Sequence, residues 1–198
     1  MTLRVYRIPF STNVERVALA LAYKGLAVEW IDVDPRDRGP VRAVSGQDLV
    51  PVLVDDGFVV SDSPAILRHL EERQPEPRLY PLDPARRAEV EVFVDWFNRV
   101  WKVAPNALEA GGPDEEPSRE LRGSRDVFEA LLDGRDYLFG DGLTVADLVA
   151  FPFLKYGLIL DPADDEPFHR ILVDHLRLDG GYPRLEAWIR RMDALPRA

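Results

Sequence analysis

Two different rhythms of apolar and polar residues divide this chain. In its first part the short segment Leu3-Arg4-Val5-Tyr6-Arg7-Ile8 alternates with period two, as a strand does, and Val28-Glu29-Trp30-Ile31-Asp32-Val33 does the same. Between them, Val14, Val17, Ala18 and Leu21 fall at helical spacing, and Gly25 follows as a stop. Pro51-Val52-Leu53-Val54 and Phe58-Val59-Val60 flank Asp55-Asp56-Gly57, which predicts a hairpin because glycine supplies the positive φ that such turns need. Ser63-Pro64 opens a further helix, Ala65 to Glu72. The predicted order is strand, helix, strand, hairpin, helix.

Later in the chain the period-two signal disappears. A long stripe with apolar residues at 90, 93, 94, 97, 100 and 101 predicts a helix from Arg86 to Val103. Further helices are expected over 116–132, 144–160, 166–176 and 184–195, punctuated by Gly111-Gly112-Pro113 and Gly180-Gly181-Tyr182-Pro183. Pro75, Pro77, Pro81 and Pro84 mark the change of rhythm; proline lacks a backbone donor and pushes its predecessor out of the helical region. The expected organisation is an α/β domain over 1–76, a linker over 77–84 and an all-α helical-bundle domain over 85–198.

Composition narrows the class. The 198 residues include 35 acidic and 25 basic side chains, a formal charge of −10, unevenly shared: residues 1–80 hold ten basic and twelve acidic groups. Such an acid excess argues against nucleic acid as a partner, because phosphate contacts need clustered Lys and Arg. Nowhere is there an apolar run of the roughly 18–20 residues that a membrane span requires. Neither is there a basic segment followed by a long apolar stretch, so no signal peptide and a cytoplasmic location are expected. With no cysteine, disulfides and thiolate metal sites are excluded. His69, His169 and His175 lack the spacing of a metal site, so no metal is expected and packing or surface roles fit them better.

Four short segments carry candidate chemistry. In Ser11-Thr12-Asn13-Val14-Glu15, Thr12 as N-cap with Glu15 three residues on would form a capping box. Ser11 would then lie just outside the helix with its hydroxyl uncommitted, where amides and the helix dipole favour an anion or a thiolate. The plainer alternative is that these polar residues only start the helix. In Val50-Pro51-Val52-Leu53 a proline opens a strand, as a trans residue or as a cis peptide that turns the Val50 backbone outward to an extended ligand. In Ser61-Asp62-Ser63-Pro64, Ser63 is placed to cap the next helix. Its hydroxyl and the helix-start amides suit a carboxylate, while Asp62 suits an ammonium; a capped helix with a surface acid is the alternative. Gly142-Leu143-Thr144-Val145-Ala146-Asp147-Leu148 places Thr144 and Asp147 as N-cap and N3, with Leu143 and Leu148 as a hydrophobic staple, a folding device. Trp96, Phe97 and Trp101 form an aromatic stripe expected in the core, the alternative for some of its members being apolar substrate contacts in an interdomain cleft.

In this order and spacing, the four segments resemble the soluble glutathione transferases along essentially the whole chain. Ser11 to Val17 followed by Ala22-Tyr23-Lys24-Gly25 is similar to the Ser-containing start of the zeta, theta and related bacterial classes. Val50-Pro51 matches the family's cis-proline segment, Asp62 to Ile66 its γ-glutamyl-binding segment, and Gly142 to Asp147 the capping box of its buried helix. The resemblance implies a thioredoxin-like N-terminal domain that binds glutathione, a helical C-terminal domain that forms most of the electrophile pocket, and a homodimer acting in detoxification. It assigns Ser11 as the catalytic hydroxyl that hydrogen-bonds the glutathione sulfur, with Thr12 and Asn13 beside it. Val50, turned outward by Pro51, would pair with the cysteinyl backbone, Asp62 and Ser63 would take the γ-glutamyl amine and carboxylate, and Gln47 would reach the glycyl end. Asn13 stands where the zeta pattern has cysteine, and Leu49 where many relatives have a polar or basic residue. Glutathione-dependent isomerisation, use of another low-molecular-weight thiol, and non-catalytic binding are the alternatives.

Overall fold

A computed structural model describes residues 3–112 and 114–198 and separates them into two units, one reaching to Arg78 and including Leu195–Ala198, the other Leu79–Ala194.

The first unit follows the predicted order with one addition. Strand β1 (Leu3–Arg7) leads to helix α1 (Thr12–Tyr23) and strand β2 (Val28–Asp32); helix α2 (Gly39–Ser45) intervenes before the hairpin β3 (Val52–Asp55) and β4 (Phe58–Ser61), and helix α3 (Ser63–Arg73) closes the unit. Helix α2 buries only Val41, so no apolar stripe announces it. The strands form one mixed sheet in the order β2-β1-β3-β4, β1 and β2 parallel and the other pairs antiparallel. Tyr6, Ile8, Val33, Val41, Val52 and Val54 pack as a core cluster against this sheet. At the hairpin, Asp56 and Gly57 both take positive φ (48° and 91°), as a two-residue turn of this kind requires.

Lys24 closes α1. It is only 5% exposed, and its Nζ donates to Glu71 Oε2 at 2.6 Å, to the Gln74 carbonyl at 2.7 Å and to the Pro77 carbonyl at 3.0 Å. Its three donors bind the end of α1 to the end of α3 and the segment that follows it. In the same unit, Arg197 Nη2 donates to Glu15 Oε1 at 2.9 Å and Trp30 Nε1 to the Ala198 carbonyl at 3.0 Å.

In the second unit, α4 (Pro84–Trp96) runs through one π-helical turn, Phe97–Trp101, into α5 (Val103–Glu109). The expected single helix from Arg86 to Val103 is thus interrupted where Phe97 and Trp101, both buried, stack with ring centroids 4.4 Å apart. Then follow α6 (Glu115–Leu131), α7 (Val145–Leu154), α8 (Pro167–Leu176) and α9 (Pro183–Asp193). Helix α7 is buried along its whole length. Its N3 residue, Asp147, is fully buried and accepts four hydrogen bonds: from the Leu138 N–H, the Thr144 N–H and Oγ1, and Trp188 Nε1 of α9, all at 2.9–3.0 Å. The folding role expected for Thr144 and Asp147 is the one they have.

Helix α7 stops at Leu154, not at residue 160, and Lys155–Gly157 form a 3-10 turn. A Cβ at Gly157 would lie 2.6 Å from the Leu176 carbonyl oxygen, so the chain passes α8 at a distance only glycine permits. Gly157→Ala is therefore expected to lower the melting temperature by about 5 °C in a thermal denaturation scan, the effect of forcing an extra carbon into a filled space. Nearby, Tyr156, Asp164 and His169 form a buried cluster, with Tyr156 Oη donating to Asp164 Oδ2 at 2.7 Å and His169 Nδ1 at 2.8 Å from the same carboxylate.

Candidate thiol-binding site

Strand register brings the candidate segments to one end of the first unit's sheet. Tyr6 of β1 is paired with Val52 of β3, and Val52 with Ser61 of β4. The chain leaving β1, the chain entering β3 and the chain leaving β4 therefore all lie at the same edge. Those three connections carry Ser11, Val50-Pro51 and Asp62-Ser63.

After β1 the backbone turns through Phe10, whose φ of 60° is in the left-handed region. The helix start differs from the expected one. Ser11, not Thr12, is the N-cap: its φ and ψ of −58° and 116° are non-helical, and its Oγ accepts from the Val14 N–H at 3.4 Å. Thr12 is the first helical residue and is buried, and the Glu15 carboxylate pairs with Arg197. The capping box on Thr12 and Glu15 does not form, and Ser11 is not uncommitted. As an acceptor from the backbone, however, the Ser11 hydroxyl keeps its own proton available for a ligand.

The Val50–Pro51 peptide is cis, the form expected if this backbone is turned outward; Pro51 is buried and Val50 half-buried. The Gln47 amide is engaged within its own loop. Its Nε2 donates to the Leu49 carbonyl at 2.8 Å and to Ser45 Oγ at 3.2 Å, and its Oε1 accepts from the Leu49 N–H. Gln47 thus shapes the loop before the cis peptide, and Leu49 stands 75% exposed beside it.

At α3 the start is again one residue earlier than predicted. Asp62 is the N-cap, with a positive φ of 74°, and Ser63 is the first helical residue. Asp tolerates positive φ better than most residues, which allows the sharp exit from β4. Asp62 is exposed and Ser63 is buried to 2%. The first-turn N–H groups of α3, like those of α1, have no acceptor within their own helix. Ser63 Oγ accepts from Arg16 Nη1 at 3.1 Å and lies 3.4 Å from Asn13 Oδ1, to which it donates. Asn13, Arg16 and Ser63 thus form one chain of hydrogen bonds joining the first turns of two helices. Burial lowers the Arg16 guanidinium to about 9, opposed by the charge of Asp62. Local pattern does not mark Arg16 as functional. The available signal was a charge inside a helix whose other residues are mostly Val, Ala and Leu.

Among the described residues there is no cluster of three or more His, Asp or Glu able to hold a metal ion, and no helix long and apolar enough to cross a membrane.

A thioredoxin-like α/β unit with a capped serine at its first helix, a cis Val-Pro before its hairpin and an Asp-Ser helix start, followed by an all-helical unit, defines a glutathione-transferase-type protein. The family models for the glutathione S-transferase N-terminal and C-terminal domains match residues 5–78 and 113–196. The chain is 34% identical over 180 residues to maleylacetoacetate isomerase of Pseudomonas aeruginosa, covering 80% of this chain and 85% of the relative. It is 32% identical over 162 residues to the glutathione S-transferase GstB of Escherichia coli K12, covering 73% and 77%. A solved glutathione S-transferase from Rhodospirillum rubrum superposes with a TM-score of 0.74 at 30% identity, covering 97% of this chain and 88% of that one. The chain belongs to the glutathione S-transferase family.

Proposed function

We propose that the first unit binds glutathione with its sulfur at Ser11 and activates the thiol for attack on a small hydrophobic electrophile. The carrying observation is the register that brings the Ser11 cap, the cis Val50–Pro51 peptide and the Asp62-Ser63 helix start to one sheet edge. In this reading the Val50 backbone pairs with the cysteinyl residue. The first-turn amides of α3 take the γ-glutamyl carboxylate, joined by the Ser63 hydroxyl as its proton turns from Asn13 Oδ1, and Asp62 takes the ammonium.

Chemistry follows from the hydroxyl. A free thiol titrates near 8.5 and is mostly protonated at neutral pH. Ser11 Oγ–H donating to the sulfur, together with the positive end of α1, favours the thiolate. The thiol proton passes to solvent, the sulfur lone pair forms the new S–C bond, and the electrophile's leaving group departs with its bonding pair. Stabilising the thiolate by two pKa units corresponds to about 2.7 kcal/mol.

Isomerisation is the second reading, favoured by the identity shared with maleylacetoacetate isomerase. There the thiolate would add to and later leave the substrate, so glutathione would be regenerated. Glutathione consumption separates the two: one equivalent lost per product formed supports transfer, and product formed with glutathione undiminished supports isomerisation. Isothermal titration with glutathione tests the shared premise, and absence of binding would defeat both readings. The homodimer and the cytoplasmic location rest on the family resemblance; sedimentation of the purified chain and fractionation of its cells check them.

A further inference from the structure

Arg16 is fully buried, yet it is the fifth residue of a helix capped by the serine proposed to activate the thiol. Burying a guanidinium has a large desolvation cost, which here shows as a value lowered to about 9. If packing alone were needed, an apolar side chain of similar volume would fill the space without that cost. A buried cation is therefore informative about what it faces. Its Nη1 points to Ser63 Oγ, 3.1 Å away, at the first turn of α3. Asp62, the carboxylate that acts on it, is exposed and so remains strongly hydrated.

Geometry adds direction. With Arg16 donating to it, the Ser63 oxygen is held from beneath, and its proton is turned toward Asn13. Both helix beginnings contribute partial positive charge at the same place. An anion arriving at the α3 start would meet first-turn amides, a hydroxyl whose oxygen is fixed by Arg16 and whose proton can turn from Asn13 Oδ1 to the anion, and a poorly hydrated positive charge directly behind them. In such a low-dielectric setting a charge acts more strongly than the same group in water.

We propose that Arg16 is a positioning residue for the γ-glutamyl end of the ligand: it fixes Ser63 from inside the unit and supplies the buried positive charge that selects a carboxylate there. The inference rests on the glutathione reading given above and adds to it the source of the carboxylate preference. Arg16 touches no ligand atom itself and acts through Ser63 and through its field.

The test is a cycle between residue and ligand. S-methylglutathione and its analogue lacking the α-carboxylate, 4-aminobutanoyl-S-methylcysteinylglycine, are titrated calorimetrically into the wild-type chain, Arg16→Gln and Arg16→Lys. Removing the carboxylate is expected to weaken wild-type binding by about tenfold or more, the scale of one charge-assisted contact. In Arg16→Gln that ratio should shrink to about twofold, while Arg16→Lys, which keeps the charge, should retain most of it. A purely structural role would weaken both ligands equally and leave the ratio unchanged, and that result overturns the inference while sparing the glutathione reading. A wild-type chain that binds both ligands equally would overturn the carboxylate site together with the role of Arg16. Failure to bind either ligand would end the glutathione reading itself. Should Arg16→Gln not fold, the wild-type chain still decides: the Arg16 Nε–H NMR resonance should shift with S-methylglutathione and not with the analogue, and equal shifts with both count against the proposal.

Discussion

Replacing Asp147 with alanine is expected to lower the melting temperature by about 6–20 °C in calorimetry. The carboxylate collects the Leu138 and Thr144 N–H groups, the Thr144 hydroxyl and the Trp188 indole N–H, all in a fully buried setting. Alanine removes the acceptor and leaves those donors without a partner. Stranding buried donors costs about 1–3 kcal/mol apiece, and breaking a buried polar network about 3–5 kcal/mol in all. For a chain of this length each kcal/mol moves the transition by about 2–4 °C. Asp147→Asn should lose less, because its carbonyl oxygen still accepts from part of the set. A melting temperature for Asp147→Ala within about 2 °C of wild type would mean that α7 is held by packing alone and that the network adds little.

Ser11→Ala is expected to reduce conjugation turnover at pH 7 by about 25-fold while glutathione affinity changes by about fivefold or less. The serine has two separable duties. Its oxygen accepts from the Val14 N–H and so caps α1, while in the proposed mechanism its proton goes to the sulfur. Alanine removes both; losing the cap costs about 1 kcal/mol. Ser11→Asn keeps a capping oxygen and lacks the hydroxyl, so it should restore the melting temperature but not the rate. The direct readout is the pH dependence of thiolate absorbance in the binary complex, whose midpoint should rise by about two units; at pH 7 that takes the thiolate from about three-quarters of the bound ligand to about 3%, the roughly 25-fold loss. An unaltered midpoint in both variants would remove Ser11 from the chemistry and transfer the role to Thr12 or Asn13.

Strands and hairpin were legible because they depend on local pattern. The alternation of Leu3 to Ile8, the Asp-Asp-Gly turn and the stripe at 14, 17, 18 and 21 all lie within single elements. Helix starts were read one residue late at both α1 and α3. In each case the expected cap, Thr12 or Ser63, is buried as the first helical residue and the preceding residue takes the capping position. Helix α2 escaped notice because a seven-residue helix burying one valine has no periodicity to detect. The ends of α4 and α7 were overrun since a π-helical turn and a glycine beneath the Leu176 carbonyl are consequences of packing between helices. Ser11, Val50-Pro51 and Asp62-Ser63 were recognisable as segments, but their convergence was not. That depends on the Tyr6–Val52–Ser61 register, a long-range property. Arg16 was invisible for the same reason: what matters is its partner 47 positions away.

The enclosure of Lys24 also affects how the protein can be handled. The chain has three lysines and no cysteine. Lys24 is sealed off by its acceptors, and Lys102 and Lys155 are half-buried, with Nζ 4.9 Å from the Phe153 ring centre and 5.2 Å from that of Tyr156. Amine-reactive dyes and crosslinkers would thus find few side chains to attack, and bead coupling through lysine would be slow. A cysteine installed at an exposed position such as Val92 would instead be the sole thiol and a clean handle for a fluorophore or a surface.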